Sequence, residues 1–431
     1  MKLGFLFYIF LGLTVGSVAN ERWGKKGKQN QSMKINLTTY ETVLNTSHLS
    51  HTKVIYELSI ADVTEMNSNF GFNFYRKMAD KHDDNIFFSP FSVSYSLASL
   101  MLGTQGITHG QLLEGLNLNK FKHQKKPYLL PTLFKKAREN ITNNEGFILD
   151  IGTFAFMHET FTIKEEFLNN TSEYFDMEYQ AVNFHSSEAK NIINDYVNKK
   201  SRGKINQLYD SLEPQTKFVL LNYILFKGKW LYPFNPQLTE MDTFYIDKYN
   251  SVKVPMMYKT DVVHFVLDKT LSCTVLKIPY RGGAYMLIAM PGKDGDLAIL
   301  EDKLSTELID NWLAKMNSRK IDIFLPKFKL DQQYSLKASL EKLGIQELFT
   351  GKANLTGLTE ERDLKLSEVK QRAVFEVDEK GSEASAVTGS EITAYTLTSV
   401  IRVNSPFLFM IREETYKSLL FIGRVVDPTK L

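Results

Sequence analysis

The most constraining feature of this sequence is the stretch 381–396, GSEASAVTGSEITAYT, which follows a strand-like apolar run and contains no proline. Small and β-branched residues dominate it, so its composition does not prevent an extended, pleated conformation. Alternate residues from Ser382 to Ala394 are uncharged, whereas Glu383 and Glu391 fall on the other parity. Because side chains alternate between the two faces of a strand, this pattern predicts a strand with one face on a core and the other in water.

Composition leaves two interpretations of residues 381–396 open. The stretch is either an ordinary surface loop rich in small residues, or a segment that can also enter an existing sheet as a strand. Pairing on both sides at about 1 kcal/mol per net hydrogen bond would stabilise the inserted form by about 10 kcal/mol or more. That gain is comparable to the stability of a whole domain, so insertion could drive a large structural change.

Several motifs, in order along the chain, resemble those of the serpin family of protease inhibitors. The clearest is VDEKGSEASA at 377–386, which resembles the serpin hinge. The others are NIFFSPFSVS at 85–94, NYILFKGKWLYPF at 222–234, KVPMM at 253–257, PKFKL at 326–330, PFLFMIREE at 406–414 and FIGRVVDP at 421–428. The resemblance covers roughly residues 60–431 and therefore implies one large serpin domain.

The pattern of elements indicates an α+β fold. An apolar run at 217–230 is typical of a central strand covered on both faces, Ser89-Pro90 opens a buried helix, and Gly282-Gly283 marks a hairpin. A helical pattern at 191–205, with Gly203 as its stop signal, and another before Gly344 alternate with strands in no regular βαβ order. The resemblance implies a large central sheet with additional sheets, eight or nine helices and an exposed reactive-centre loop at about 378–402.

The serpin resemblance implies a suicide-substrate inhibitor, in which the target protease cuts the loop and is trapped when the loop inserts. In the family's spacing the hinge glycine lies fourteen residues before the scissile residue, which places the cut between Tyr395 and Thr396. Small hinge residues let insertion outrun hydrolysis of the acyl-enzyme. The hinge is intact here and comprises Glu379, Gly381, Ser382, Glu383, Ala384, Ser385 and Ala386.

The target is not evident from Tyr395 alone, because an aromatic residue fits a chymotrypsin-like pocket. SEITAY at 390–395, and Gln371 where most serpins have histidine, are however similar to one plasma inhibitor of this family. That similarity implies inhibition of coagulation factor Xa with protein Z, phospholipid and calcium, and of factor XIa without protein Z. A bridging cofactor raises the effective concentration of inhibitor, and so compensates for a loop whose Tyr395 fits the protease pocket poorly.

The same resemblance implies protein Z contacts at Asp83, Tyr249 and Asp302, which otherwise are solvated surface residues. Asp80 is assigned to this surface too, although the similar plasma inhibitor has an apolar methionine there.

A separate basic cluster is either a solvated face or, as the corresponding serpin helices imply, a site for heparin-like glycosaminoglycans. Its members are Lys120, Lys122, Lys125, Lys126, Lys135, Lys136 and Arg138.

The N-terminal region predicts secretion to the extracellular space. Residues 1–19 have the basic start, apolar core and small cleavage-site residues of a signal peptide, and 20–59 form a polar, flexible glycosylated arm. Glycosylation sequons lie at Asn30, Asn36, Asn45, Asn140, Asn169, Asn170 and Asn354. The lone Cys273 makes no internal disulfide and is expected to be buried and inert. We expect a monomer that contacts membranes only through protein Z.

Other functional classes find less support in the sequence. The net charge of +3 does not indicate a nucleic-acid partner, and no GxSxG, HExxH or nucleotide-binding motif occurs. The eight histidines are dispersed without ligand spacing, so we expect no metal site and no enzyme activity. Two alternatives remain: a non-inhibitory serpin that carries a hydrophobic hormone, and a serine hydrolase whose residues assemble from distant positions.

Overall fold

The computed structural model describes residues 57–205, 207–381 and 399–431. This part of the chain contains nine α-helices and two β-sheets, which confirms the predicted α+β class. The helices are α1 (Ile60–Ala79), α2 (Pro90–Leu100), α3 (Gly106–Gly115), α4 (Leu129–Thr142), α5 (Glu165–Phe175), α6 (Ala189–Lys200), α7 (Leu297–Lys303), α8 (Thr306–Lys315) and α9 (Lys337–Lys342), with short 3-10 helices at Asn119–Phe121, Pro236–Leu238 and Glu347–Phe349.

The strands form a five-stranded and a nine-stranded sheet. The smaller sheet has the order β10 (Phe328–Ser335), β11 (Glu368–Val377), β4 (Phe218–Gly228), β2 (Phe147–His158), β3 (Met177–Val182). The larger has the order β1 (Ile86–Phe88), β14 (Leu419–Val425), β13 (Phe407–Glu413), β8 (Ala284–Pro291), β7 (Cys273–Pro279), β6 (Ser251–Asp268), β9 (Asn317–Pro326), β12 (Ser399–Arg402), and β5 (Glu240–Tyr245) pairs with β6.

Strand β4 is the predicted central strand with both faces covered. All its residues except Lys227 are buried. Leu220 and Ile224 belong to the main core of the molecule. Leu221 faces the other way, in a second cluster that includes Ile193 of α6. Helix α6 therefore covers the outer face of the five-stranded sheet, which explains the continuous apolar run in the sequence.

Helix boundaries follow local chain chemistry, with one correction to the sequence prediction. Every residue of α2 is buried, and the side chain of Ser89 caps its start by accepting a hydrogen bond from the Ser92 N–H (3.2 Å). The helix predicted over 191–205 ends earlier, at Lys200. The chain passes through left-handed conformations at Arg202 (φ 53°) and Gly203 (φ 77°), which an α-helix cannot continue through.

The two sheets pack together through a cluster of aromatic rings centred on Phe375 of β11. Its ring centroid lies 5.2 Å from that of Phe87 in β1 and 5.6 Å from that of Phe409 in β13, both stacked. Phe226 of β4 and Phe328 of β10 lie at 6.1 and 6.0 Å. Such pairs contribute beyond their buried area, so this cluster fixes how the five-stranded sheet lies on the larger one.

We predict that Phe375→Ala lowers the free energy of unfolding by about 3–5 kcal/mol, because it leaves a cavity among four other rings. Urea unfolding of the intact protein, followed by circular dichroism, measures the loss. Glu376→Ala is the matched control: Glu376 is the next residue on β11 and is exposed. Its effect should stay within about 0.5 kcal/mol; equal losses in both variants would contradict this account of the packing.

Candidate functional site

The predicted hinge begins in a tight turn at the end of β11. The Gly381 N–H donates to the Asp378 carbonyl (3.3 Å), and Gly381 has a φ of 103°. A Cβ at this position would lie 2.3 Å from the carbonyl oxygen of Gly228 and 2.5 Å from the nitrogen of Trp230. Only glycine fits this conformation and this space. The remaining hinge residues, 382–386, and the predicted scissile pair Tyr395 and Thr396 lie outside the described residues.

Trp230 holds this turn against the end of β4. Its side chain is fully buried and stacks on the ring of Tyr280, with centroids 4.2 Å apart. The indole N–H donates to the carbonyl of Asp378 (2.8 Å), and the backbone N–H donates to that of Lys380 (3.2 Å). Trp230 thus holds the start of the hinge by two hydrogen bonds.

Glu379 is the charged anchor of the turn. Its carboxylate accepts from the ammonium of Lys327 (2.8 Å) and the hydroxyl of Thr239 (2.8 Å), and its backbone carbonyl accepts from the N–H of Phe234 (2.8 Å). Burial alone would raise the pKa of Glu379, but the hydrogen bonds to its carboxylate, first of all that from Lys327, outweigh burial and hold the pKa below the ordinary 4.5. Glu379 is therefore ionised and paired at neutral pH.

Beneath the turn, β4 and β11 pair directly with each other. They are parallel, and eight residue pairs are in register from Glu368↔Val219 to Phe375↔Phe226. No other strand of the described residues therefore lies between them. A buried amide network lies under the middle of this pairing, between Gln371 of β11 and its register partner Asn222 of β4.

The amide network connects the paired strands to helix α2. The Gln371 side-chain nitrogen donates toward the oxygens of Asn222 (2.9 Å) and Ser92 (2.6 Å), and its oxygen accepts from the Ser89 N–H (3.1 Å). The Ser92 hydroxyl also donates to Asn222 (3.1 Å). All four residues are buried. Parting the strands breaks the Gln371–Asn222 bond and leaves at least one of these strands without its share of the network around Ser92.

The downstream end of the undescribed stretch 382–398 is anchored in the other sheet. Strand β12, which starts at Ser399, pairs in parallel with β9 over four residues, from Ser399↔Ile321 to Arg402↔Phe324. The guanidinium of Arg402 also contacts the carboxylate of Asp242 and lies over the ring of Phe324 (3.7 Å). Residues 382–398 therefore join the end of the five-stranded sheet to the edge of the nine-stranded one.

The structure places three of the four predicted protein Z contacts on adjoining elements. Asp80 follows α1, Asp83 lies in the turn after it, and Asp302 lies on α7; all three are exposed. Helices α1 and α7 are in contact, because the Arg76 guanidinium of α1 donates a hydrogen bond to the carbonyl of Leu304, directly after α7 (2.8 Å). Tyr249, which is 92% exposed, lies in the separate turn between β5 and β6.

The predicted heparin site is less cationic in three dimensions than in sequence. The seven side chains lie in the segment 120–126 and on α4, but four of them contact carboxylates from other parts of the fold. The pairs are Lys120 with Asp62 (3.1 Å) and Glu65 (3.2 Å), Lys122 with Glu114 (3.3 Å), Lys126 with Glu57 (2.9 Å), and Arg138 with Asp176. Lys125 and Lys136 are exposed, and the Lys135 ammonium lies over the ring of Tyr174 (5.8 Å).

The described sequons differ in exposure. Asn140 on α4 and Asn169 on α5 are exposed, whereas Asn170 and Asn354 are partly buried. The side-chain oxygen of Asn354 accepts from the hydroxyl of Thr356 (2.8 Å). The sequons at 30, 36 and 45 lie outside the described residues.

Cys273 is buried and free of a disulfide, as predicted, and burial raises its pKa to about 12. Such a thiol is inert at neutral pH. In the ranges 57–205, 207–381 and 399–431, no group of three or more His, Cys, Asp or Glu side chains could hold a metal ion. No helix in the described part of the chain has the length and apolar composition to span a bilayer.

Comparison with known proteins identifies the fold. The model of the serpin (serine protease inhibitor) family matches residues 65–428. The chain belongs to the serpin family. Among its relatives, protein Z-dependent protease inhibitor of Homo sapiens is 49% identical over 366 residues, covering 84% of this chain and 82% of the relative. Alpha-1-antitrypsin 1-1 of Mus musculus is 39% identical over 370 residues, covering 84% and 88%.

Solved serpin structures share this architecture. The crystal structure of mouse protein Z-dependent protease inhibitor matches with a TM-score of 0.81 and 45% identity, covering 86% of this chain and 98% of that one. Human thyroxine-binding globulin in complex with its hormone matches with a TM-score of 0.80 and 34% identity, covering 86% and 100%. The serpin fold predicted from the motifs is thus confirmed.

We predict that Glu379→Gln destabilises the intact serpin by about 1–3 kcal/mol at pH 7, because Lys327 loses the carboxylate it pairs with. A group whose folded pKa is depressed contributes stability above its unfolded pKa and loses it as the pH falls through the folded value. The difference between wild type and variant should therefore be full at pH 7 and shrink below about pH 4.5. Urea unfolding at a series of pH values measures it.

The exposed Glu376→Gln is the control for this experiment, since it removes one negative charge from the same strand without touching the turn. It should change stability by less than about 0.5 kcal/mol. A difference for Glu379→Gln that stays constant from pH 7 to pH 3 would refute the role of its charge.

Proposed function

We propose that this serpin is a secreted inhibitor that traps a serine protease as a suicide substrate. The observation that carries the proposal is the anchoring of residues 382–398 in two different sheets: Gly381 follows β11 of one sheet, and Ser399 begins β12 of the other. While both ends are held, the stretch cannot enter the five-stranded sheet over its full length. A cut at the predicted bond frees the upstream part from β12.

Strand directions set the geometry of insertion. A segment that leaves the end of β11 and folds back runs antiparallel to β11, and because β4 is parallel to β11 it is antiparallel to β4 as well. Insertion replaces one parallel ladder by two antiparallel ones, each slightly more stable per residue. An inserted strand of residues 381–394 is about 46 Å long at about 3.3 Å per residue. The net gain is about 10 kcal/mol at about 1 kcal/mol per hydrogen bond.

The proposed chemistry belongs to the protease. Its serine oxygen attacks the carbonyl carbon of Tyr395, the bond to the nitrogen of Thr396 breaks, and Thr396 leaves as a free amine. The acyl ester joins protease and inhibitor. If residues 381–394 insert before water hydrolyses this ester, the protease is carried the length of the sheet and trapped. Small residues at 382–386 support rapid insertion, because bulky inward side chains would slow it.

The proposed target is coagulation factor Xa, in the presence of protein Z, phospholipid and calcium, and factor XIa without protein Z. Support comes from SEITAY at 390–395 and from the relatives called protein Z-dependent protease inhibitor. The surface proposed to bind protein Z comprises Asp80, Asp83, Tyr249 and Asp302. Bridging by a cofactor raises the effective concentration of the inhibitor, which offsets the poor fit of Tyr395 to a trypsin-like pocket.

Heparin-like glycosaminoglycans are a further proposed partner of the basic cluster on α4 and the segment before it. A polyanion binding there must replace the carboxylate contacts of Lys120, Lys122 and Lys126. The pairs Lys120–Glu65, Lys122–Glu114 and Lys126–Glu57 join exposed side chains, and such pairs contribute only about 0–1 kcal/mol each, so sulfate groups can displace them. The further contact of Lys120 is with the buried carboxylate of Asp62 and is harder to break. We also propose a signal peptide at 1–19, a glycosylated arm at 20–59 and a monomeric serpin domain at 60–431, acting in plasma.

The test is incubation of the mature protein with factor Xa, phospholipid, calcium and protein Z, followed by denaturing electrophoresis. We expect a covalent complex that survives denaturant, and its loss in Tyr395→Ala, which removes the side chain that enters the protease pocket. Factor XIa without protein Z is the parallel reaction. Release of cleaved serpin and free protease alone would reject the inhibitory mechanism.

The alternative of a hormone carrier is tested by heating the protein before and after its loop is cut. Insertion adds a paired strand, so an inhibitor should become much more heat-stable after cleavage, whereas many carriers would not. A serine hydrolase is tested by labelling with a reagent for active-site serine.

We predict that Ala384→Arg converts the inhibitor into a substrate. Ala384 is one of the alternate, uncharged residues that would face the core after insertion. Burying an unpaired arginine there should stop the loop from inserting into the sheet. The measurement is the ratio of covalent complex to cleaved serpin. Glu383→Arg is the matched control, because the same new side chain on the solvent-facing parity should leave complex formation within about twofold of the wild type. Equal loss in both variants would contradict the assignment of faces.

A further inference from the structure

One buried guanidinium, that of Arg424 on β14, connects two elements of the proposed protein Z surface. It donates from one terminal nitrogen to both carboxylate oxygens of Glu301 on α7 (2.9 and 3.1 Å). Its other nitrogens donate to the backbone carbonyls of Asp84 (3.1 Å) and His82 in the turn after α1. Arg424 is 7% and Glu301 6% exposed. Three separate parts of the fold thus meet at one cation.

The residues that Arg424 contacts flank the exposed carboxylates of this surface. Asp83 lies between the two residues whose carbonyls accept from Arg424, and Asp302 directly follows Glu301. Tyr75 of α1 also donates from its hydroxyl to Glu301 (2.6 Å). The backbone on both sides of Asp83, and the helix turn that presents Asp302, are therefore held by a common set of hydrogen bonds.

The geometry of this contact needs arginine. A planar guanidinium presents several N–H groups in fixed directions, so it can serve one carboxylate and two carbonyls together; an ammonium is a point charge on a flexible stem. Without Arg424, the buried Glu301 carboxylate would lose its cation and the two carbonyls would lose their donor. Both changes loosen the turn 80–85 relative to α7.

We infer that Arg424 is a positioning residue, which holds Asp83 and Asp302 as one preformed acidic surface for a basic region of protein Z. Preformed side chains lose less conformational freedom on binding, so affinity depends on this order as well as on charge. The inference rests on the proposed function for the identity of the partner. The ordering of the surface itself does not depend on protein Z.

The test compares Arg424→Met with Lys430→Met. The Lys430 ammonium is exposed and pairs with the carboxylate of Asp84 (2.8 Å), beside the same turn. Both variants remove one positive charge near the acidic surface, so charge alone should strengthen binding of a basic partner in both. Positioning predicts the opposite for Arg424→Met: a dissociation constant for protein Z about tenfold higher, with Lys430→Met unchanged or tighter.

Two further measurements keep the test decisive. Hydrogen exchange of backbone amides at 80–85 and 297–303 should accelerate in Arg424→Met and not in Lys430→Met, with or without protein Z. Complex formation with factor XIa should keep its wild-type rate, which shows that the variant is folded. If Arg424→Met does not fold, Arg424→Lys replaces it, and we expect faster exchange and weaker binding in the same regions.

The outcomes separate the two proposals. Wild-type protein that binds no protein Z refutes the partner but leaves exchange to decide the positioning role. Wild-type binding together with unchanged exchange, or with an unchanged dissociation constant in the Arg424 variants, overturns the inference and leaves the proposed function standing.

Discussion

The direct parallel pairing of β4 and β11 is the constraint on which the rest of this structure depends. Eight residue pairs close the position where another strand would fit. The segment that follows β11 is the one whose alternating pattern suits that position. Because parallel pairing is slightly less stable per residue than antiparallel pairing, the closed sheet forgoes stability that an inserted strand would supply. In the proposed mechanism, the intact protein thus has a lower-energy arrangement available that its chain connections prevent it from reaching.

Polar contacts hold the closed pairing at two levels. At the end of the strands, Glu379 contacts Lys327 and Thr239, and Trp230 binds the turn. Lower down, Gln371 and Asn222 connect the strands to α2. Directional hydrogen bonds specify one register while the sheet is closed. The net contribution of each to stability is only about 1 kcal/mol, because other partners can replace it when it breaks. The Phe375 ring contacts Phe87 and Phe409 of the other sheet and also Phe226 of β4. Its packing therefore resists loss of the fold and also adds an apolar contact between β4 and β11.

Local pattern predicted the elements well, and non-local pairing accounts for what it missed. The central strand β4, the buried helix after Ser89 and the hairpin at Gly282 follow from apolar periodicity, capping and glycine chemistry that act within a few residues. Gly203 is left-handed, as its prediction as a stop signal requires, but α6 ends a few residues before the predicted boundary because Arg202 is already left-handed, which its residue type does not indicate. No sequence signal linked Glu379 to Lys327, or Lys120 to the carboxylates of α1, since those partners are far apart along the chain. In the sequence Arg424 stands out only as part of the motif FIGRVVDP, because its role appears when three distant segments meet.

The pairing of β12 limits how long the uncleaved form can persist in the proposed mechanism. It is held by four residue pairs at the outer edge of its sheet, and Ser399 and Val400 are exposed there. Short edge pairings open far more often than central ones. If β12 separated from β9, the downstream end would be released with the peptide bond uncut. In the proposed mechanism the loop could then insert with no protease attached. In that mechanism, the lifetime of the uncleaved inhibitor depends on how often the four-residue pairing of β12 with β9 opens.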